Sequence, residues 1–191
     1  MAFKRSVSFL VLFVFASVAS AATYDALGVE YWAGAGSNQA TIVIDFGLES
    51  YAFGYRWDGA ATGWDALTAI ESEASIAASL RLAVSETDYG APTGILVEDF
   101  GYLSAAEFDY GQLAFAGWAY YYSGDGDNWT SSGSSSIYRD LADGAWDAWL
   151  WSDFLFDPFG PIRQPGQSPV PEPCTLAILA LGAGVMLRRR S

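Results

Sequence analysis

Residues 41–57 read Thr41-Ile42-Val43-Ile44-Asp45-Phe46, then Gly47-Leu48-Glu49-Ser50, then Tyr51-Ala52-Phe53-Gly54-Tyr55-Arg56-Trp57. The first run is β-branched or apolar apart from Asp45, which suits a pleated, buried surface. In the last run Tyr51, Phe53, Tyr55 and Trp57 recur at every second position, the period of a strand with one face turned to a core. Four residues that include a glycine can reverse the chain between them, so the stretch predicts a β-hairpin. Arg56 then falls on the other face, beside Ala52 and Gly54, and is expected to pair with Asp58 or Asp65. Directly downstream, Thr62-Gly63-Trp64-Asp65 fits a capping box, and Trp64, Leu67, Ile70 and Ala74 follow at helical spacing. The spacing predicts one helix over about 62–74. A hairpin feeding a helix sets the class as α+β, mainly antiparallel β-sheet with one packed helix.

Working outward, residues 79–85 alternate, with Leu80, Leu82 and Val84 on one side. Residues 95–97, 112–122 and 148–156 are further strand candidates. Gly90, Pro92, Gly94, Gly124 and Gly126 punctuate them. Residues 22–156 are thus expected to form an acidic, β-rich domain. Residues 157–169 hold Pro158, Pro161, Pro165 and Pro169 and read as a linker.

The two ends carry a different kind of information. Lys4 and Arg5 precede an apolar run over residues 7–18, and Ala19 and Ala21 offer the small side chains that signal peptidase reads. Residues 1–21 are therefore predicted to be a cleaved signal peptide. At the other end, residues 170–191 hold Pro171-Glu172-Pro173, an apolar run over 174–187, and Arg188-Arg189-Arg190. A helix of that run would cover about 21 Å, short of a bilayer core of about 30 Å. Flanking residues and snorkelling arginine stems can extend it, so 174–187 is predicted to be a short transmembrane helix. The arginines favour the cytoplasmic side, which leaves the domain outside that membrane.

These three tail features, in order and flush with the last residue, closely resemble the PEP-CTERM sorting signal. The resemblance covers only the tail. It implies recognition of Pro171-Glu172-Pro173 by an exosortase, an integral-membrane sorting enzyme, with Arg188, Arg189 and Arg190 as the basic stop. It implies a Gram-negative, exopolysaccharide-producing source, transient anchoring and removal of the tail. The mature protein is then expected at the cell surface or in the extracellular matrix of a biofilm. Unrelated domains carry such tails, so the resemblance assigns sorting and leaves the chemistry of residues 22–156 to their own composition.

That composition excludes several classes. The chain has no histidine, which removes Ser-His-Asp and Cys-His catalysis and His-ligated zinc, copper or haem. Its single cysteine, Cys174, lies in the tail, so the domain forms no disulfide. Arg56, Arg81, Arg139 and Arg163 face 21 acids, the chain's 22 less Glu172, which leaves the body at a net charge of −17. Such a surface repels phosphate backbones and argues against nucleic acid as a partner. No cofactor is expected.

Two constellations remain as candidate sites. Trp118, Tyr120 and Tyr122 share one face of a predicted strand, and Trp149 and Trp151 share a face of another. Exposed, these rings would stack on a glycan, an exopolysaccharide included, or on a small planar ligand; buried, they would fill the core. Asp125, Asp127 and Asn128 offer hard oxygen ligands for calcium, although the remaining ligands of an EF-hand loop are missing and an exposed turn explains the run equally well. Paired carboxylates for glycoside hydrolysis are available on paper in any chain this acidic, and no motif singles out a pair. The sequence therefore predicts an exported, non-enzymatic protein, with a ligand-binding module as the alternative and a carboxylate-based hydrolase as a second alternative.

Overall fold

The computed structural model describes residue 24 and residues 27–111, 115–154 and 163–166. The predicted signal peptide with Ala19 and Ala21, and the tail with Pro171, Glu172, Pro173, the 174–187 helix and Arg188 to Arg190, lie outside the described residues. Among the described residues no helix is long and apolar enough to cross a membrane.

The hairpin forms as its alternation predicts. Strand β2 (Asn38–Asp45) pairs antiparallel with β3 (Ser50–Trp57) from Asn38 opposite Trp57 to Asp45 opposite Ser50. It sits inside a six-stranded sheet of order β1-β3-β2-β8-β6-β7. The other members are β1 (Val29–Gly34), β6 (Ala116–Ser123), β7 (Trp129–Ser131) and β8 (Ala145–Asp153). A separate ribbon pairs β4 (Ala83–Asp88) with β5 (Ile95–Gly101). Antiparallel pairing dominates, with two exceptions: β1 runs parallel to β3 and β8 runs parallel to β2.

One helix, α1 (Gly63–Ser72), follows β3. The Asp65 amide donates to Thr62 Oγ1 at 3.2 Å, and the Thr62 amide donates to Asp65 Oδ2 at 2.8 Å. Both halves of the capping box are present, and two of the helix's orphan donors are satisfied. The helix stops two residues before Ala74. The Glu73 backbone is extended, and Tyr31 of β1 donates its hydroxyl to the Ile70 carbonyl at 3.0 Å. The same hydroxyl accepts from the Leu82 amide at 3.0 Å, which fixes the start of the ribbon against the helix end. This is why residues 79–85 do not form one strand. Ala78–Leu80 makes a 3-10 turn with Leu80 exposed, and β4 begins only at Ala83.

The sheet has two unlike faces. The first carries Tyr31, Ile42, Ile44, Phe46, Phe53, Trp118 and Trp149, and is covered by Leu67 and Ile70 of α1 and by Val97 and Phe100 of the ribbon. Each fully buried Leu, Ile or Phe here contributes about 1.5–3 kcal/mol. The second carries smaller residues, Val43, Ala52, Ala119 and Ala148, with Tyr121 and Leu150, and is closed by Tyr24.

An ion pair is buried at that second face. Arg163 Nη2 pairs with Asp45 Oδ2, and the Tyr24 hydroxyl donates to the same carboxylate. The Arg163 amide donates to Ser152 Oγ at 3.1 Å, and the Tyr121 hydroxyl donates to the Arg163 carbonyl at 3.1 Å. Arg163, part of the proline-rich stretch, is 6% exposed and Asp45 is 1% exposed. A charge removed from water this fully is stable only with a partner and with its hydrogen bonds made, and both conditions are met here.

Candidate functional site: an aromatic cleft

The five aromatic residues that alternation places on one face of each of two strands stand on the same face of the sheet. Strand β6 pairs with β8 so that Tyr120 is opposite Trp149, Trp118 opposite Trp151, and Tyr122 opposite Asp147. Direct cross-strand partners point to the same side, so all five rings stand on the first face. Tyr120 and Trp149 stack with centroids 4.5 Å apart at 26°. Trp118 meets Phe100 edge-on at 4.8 Å and Trp151 at 5.4 Å. Trp118 is 9% exposed and Trp149 3%, while Tyr120, Tyr122 and Trp151 are half-buried. Trp118 and Trp149 belong to the core, and Tyr120, Tyr122 and Trp151 stand at its edge.

They nonetheless bound open space. The ribbon and the helix do not cover the whole first face. Between the β4–β5 turn and the loop after β7 lies a cleft of about 850 Å³, floored by Trp118, Tyr120 and Trp149. That is within the range of about 300–1,000 Å³ typical of ligand sites. One wall is the turn region, including Tyr89, Thr93 and Leu96; the other is the serine run 131–136 with Gly133. The walls are tied to each other. Ser135 Oγ donates to the Ile95 carbonyl at 2.6 Å and accepts from the Ile95 amide at 3.2 Å. The serine wall is tied to the floor strand by the Ser132 amide, which donates to the Tyr120 carbonyl at 2.8 Å.

Behind the floor lies a buried acid. Asp147 is fully buried, and Tyr120 donates its hydroxyl to Oδ2. Arg139 Nε lies 3.7 Å from Asp147 Oδ1, and neither atom has a hydrogen-bond partner. Burial raises the Asp147 carboxyl to about 6, against the lowering effects of the Tyr120 hydrogen bond and the Arg139 charge. Burial, then the neighbouring Asp147 charge, push the Tyr120 phenol well above its ordinary value. The first residue of α1 comes right down onto this pair. A Cβ on Gly63 would stand 2.5 Å from Asp147 Oδ2 and 2.7 Å from the Tyr120 hydroxyl, so only glycine lets the helix start here. Arg139 also stacks on Tyr122, its guanidinium 4.7 Å from the ring centre.

The calcium candidates are engaged in their own loop. Asp125 accepts from the Asp127 amide at 3.0 Å, the Asn128 amide at 2.8 Å, Asn128 Nδ2 at 2.7 Å and Ser123 Oγ at 2.9 Å. These bonds, those from Asn128 first, hold its carboxyl below the usual range. Among the described residues no group of three or more acidic or cysteine side chains is placed to hold a metal ion. Arg56 takes neither expected partner. It lies over the exposed Trp32 ring at 4.5 Å, because Asp58 is occupied by the Ser37 amide and hydroxyl and Asp65 by the helix cap. A pair of acids that the sequence did not single out does meet: Glu107 hydrogen-bonds Asp99. Burial first, then that bond, raises the Glu107 carboxyl. Acids in hydrogen-bond contact are too close for the roughly 5–10 Å separation of glycoside hydrolysis.

The cleft's walls have a faint mark in the sequence. Ser131-Ser132-Gly133-Ser134-Ser135-Ser136 is a short, low-complexity run between two aromatic strands, and a hydroxyl-rich loop set there borders whatever the rings present.

Comparison with known proteins finds a match in the tail. Residues 169–190 match the PEP-CTERM protein-sorting motif. The tail thus carries that motif, and the match supports an exported protein handled by an exosortase-type sorting enzyme. No curated protein and no solved structure matches the chain.

Proposed function

We propose that the mature domain is a non-enzymatic binding module, delivered by its sorting tail to the cell surface or extracellular matrix, and that the aromatic cleft is its ligand site. The observation that carries this reading is the cleft itself: about 850 Å³ of open space over Trp118, Tyr120 and Trp149, between walls cross-linked through Ser135 and Ile95. Rigid walls and an apolar floor reduce the ordering cost of binding, the usual route to a preformed site. A hydrolase reading finds less support. The carboxylates meeting at Glu107 and Asp99 lie outside the cleft, and Asp147 is sealed behind Tyr120.

Tryptophan fluorescence of the exported protein, titrated with a panel of oligosaccharides and planar molecules, tests the cleft. A saturable change is expected, weakened at least tenfold by Tyr89→Ala combined with Leu96→Asp, both on the exposed rim. No saturable change with any ligand would overturn the reading, and turnover of a panel member would replace it with the hydrolase. For sorting, the intact mass of the exported protein is expected to lack Arg188 to Arg190 and the signal peptide. A mature form that keeps them contradicts tail removal.

A further inference from the structure

We propose that the cleft selects an uncharged oligosaccharide segment over acidic sugars, cations and flat aromatic molecules. This rests on the reading of the cleft as the ligand site. The decisive observation is a contrast in charge. Charged residues occupy 16% of the chain, yet none of the described residues lining the cleft is charged.

The domain's four arginines are all placed elsewhere. Arg163 pairs with Asp45 on the opposite face, Arg139 lies beside Asp147 and over Tyr122, Arg56 stacks on Trp32, and Arg81 stands at the base of the ribbon. An acidic sugar would therefore bring a carboxylate into a site with no cation to meet it, on a body whose net charge of −17 already repels it. A cation is drawn to the body as a whole. Among the described lining residues it finds no carboxylate, and Asp147, buried behind Tyr120, already accepts that hydroxyl's hydrogen bond.

Among neutral ligands the lining favours sugars. The rim is rich in hydroxyls, those of Thr93, Ser131 and Ser134 being exposed, and a hydroxyl both donates and accepts, as sugar hydroxyls do. The floor is apolar and aromatic, the surface on which the C–H side of a sugar ring packs. A flat aromatic molecule lying on that floor would leave the rim hydroxyls without partners, whereas a sugar can meet both. The volume lies near the upper end of the usual range, which suits several linked rings better than one.

The test uses the exported protein and matched probes: neutral trisaccharides (maltotriose, cellotriose, laminaritriose), trigalacturonate, and the neutral planar dye Nile red. At least one neutral trisaccharide is expected to bind saturably and at least tenfold tighter than trigalacturonate. Leu96→Lys, a rim change that supplies the missing cation, is expected to narrow that gap several-fold. Trigalacturonate binding as tightly as every neutral trisaccharide overturns the inference. So does saturable binding of Nile red alone, although a cleft that binds the dye and loses it in the Tyr89→Ala, Leu96→Asp variant still stands as a ligand site. Binding of no probe, or binding that the rim variants leave unchanged, overturns both readings.

Discussion

The two faces of the central sheet are made by the same strands and are finished in opposite ways. The second face carries small side chains and is closed by a charged cluster, with Tyr24, Asp45 and Arg163 sharing one buried network. The first face carries large rings, is covered by a helix and a ribbon, and keeps an uncharged space open over its floor. The difference teaches where each kind of interaction is useful. An ion pair closes a face because its geometry is specific and, once out of water, its hydrogen bonds must all be made by the protein. A field of rings covered by separate elements leaves gaps wherever the covers end.

The largest expected effect comes from breaking the closed face. Arg163→Ala strands the Asp45 carboxylate and is expected to cost about 3–5 kcal/mol in denaturant unfolding. The double variant Asp45→Leu with Arg163→Met is expected to recover much of that loss, since it removes both charges. A single variant as stable as the wild type would show that the pair does not close the face.

The next test concerns the buried acid behind the open face. Folding raises Asp147 from its ordinary value of 3.8 to about 6, so the folded chain holds that proton where the unfolded chain has released it. Its contribution to stability is intact below about pH 4 and is lost as pH rises through about 6. Relative to Asp147→Asn, the wild type is expected to lose about 2–3 kcal/mol across that window. Parallel stability curves for the two proteins from pH 4 to 7 would contradict the assignment.

Smaller effects sharpen the picture of the covering elements. Thr62→Ala removes the cap of the helix and is expected to cost about 1 kcal/mol by thermal or chemical unfolding. Trp118→Phe sets two terms against each other. It loses buried area, but it also removes an indole N–H that is buried without a partner. The net change is expected to stay below about 1 kcal/mol. A larger loss would mean that the Trp118 donor has a partner in solution.

The legible parts of this fold were the local ones. The hairpin and the helix cap are each written within a few neighbouring residues, so periodicity and the Thr62–Asp65 spacing located them. Strand β1 has no counterpart among the predicted strands, because its register depends on β3 and is irregular between Val29 and Trp32. Leu80, Leu82 and Val84 alternate as a strand would, but the contact of Tyr31 with Leu82 turns that alternation into a 3-10 turn and a later strand. At the site, the aromatic residues were visible and their shared face was not, since it follows from the β6–β8 register. Nothing near Arg163 in the proline-rich stretch marks its docking, because Asp45, its partner, is 118 positions away in the chain.

That partnership also has a mechanical meaning. Arg163 docks on the face opposite the cleft, and eight positions separate it from Pro171. The intervening chain can reach at most about 29 Å. In the intact chain that reach is the longest tether the sorting motif has from the docked arginine. A pull on the tail is delivered to a charge pair buried on the second face, at the far side of the sheet from the open cleft.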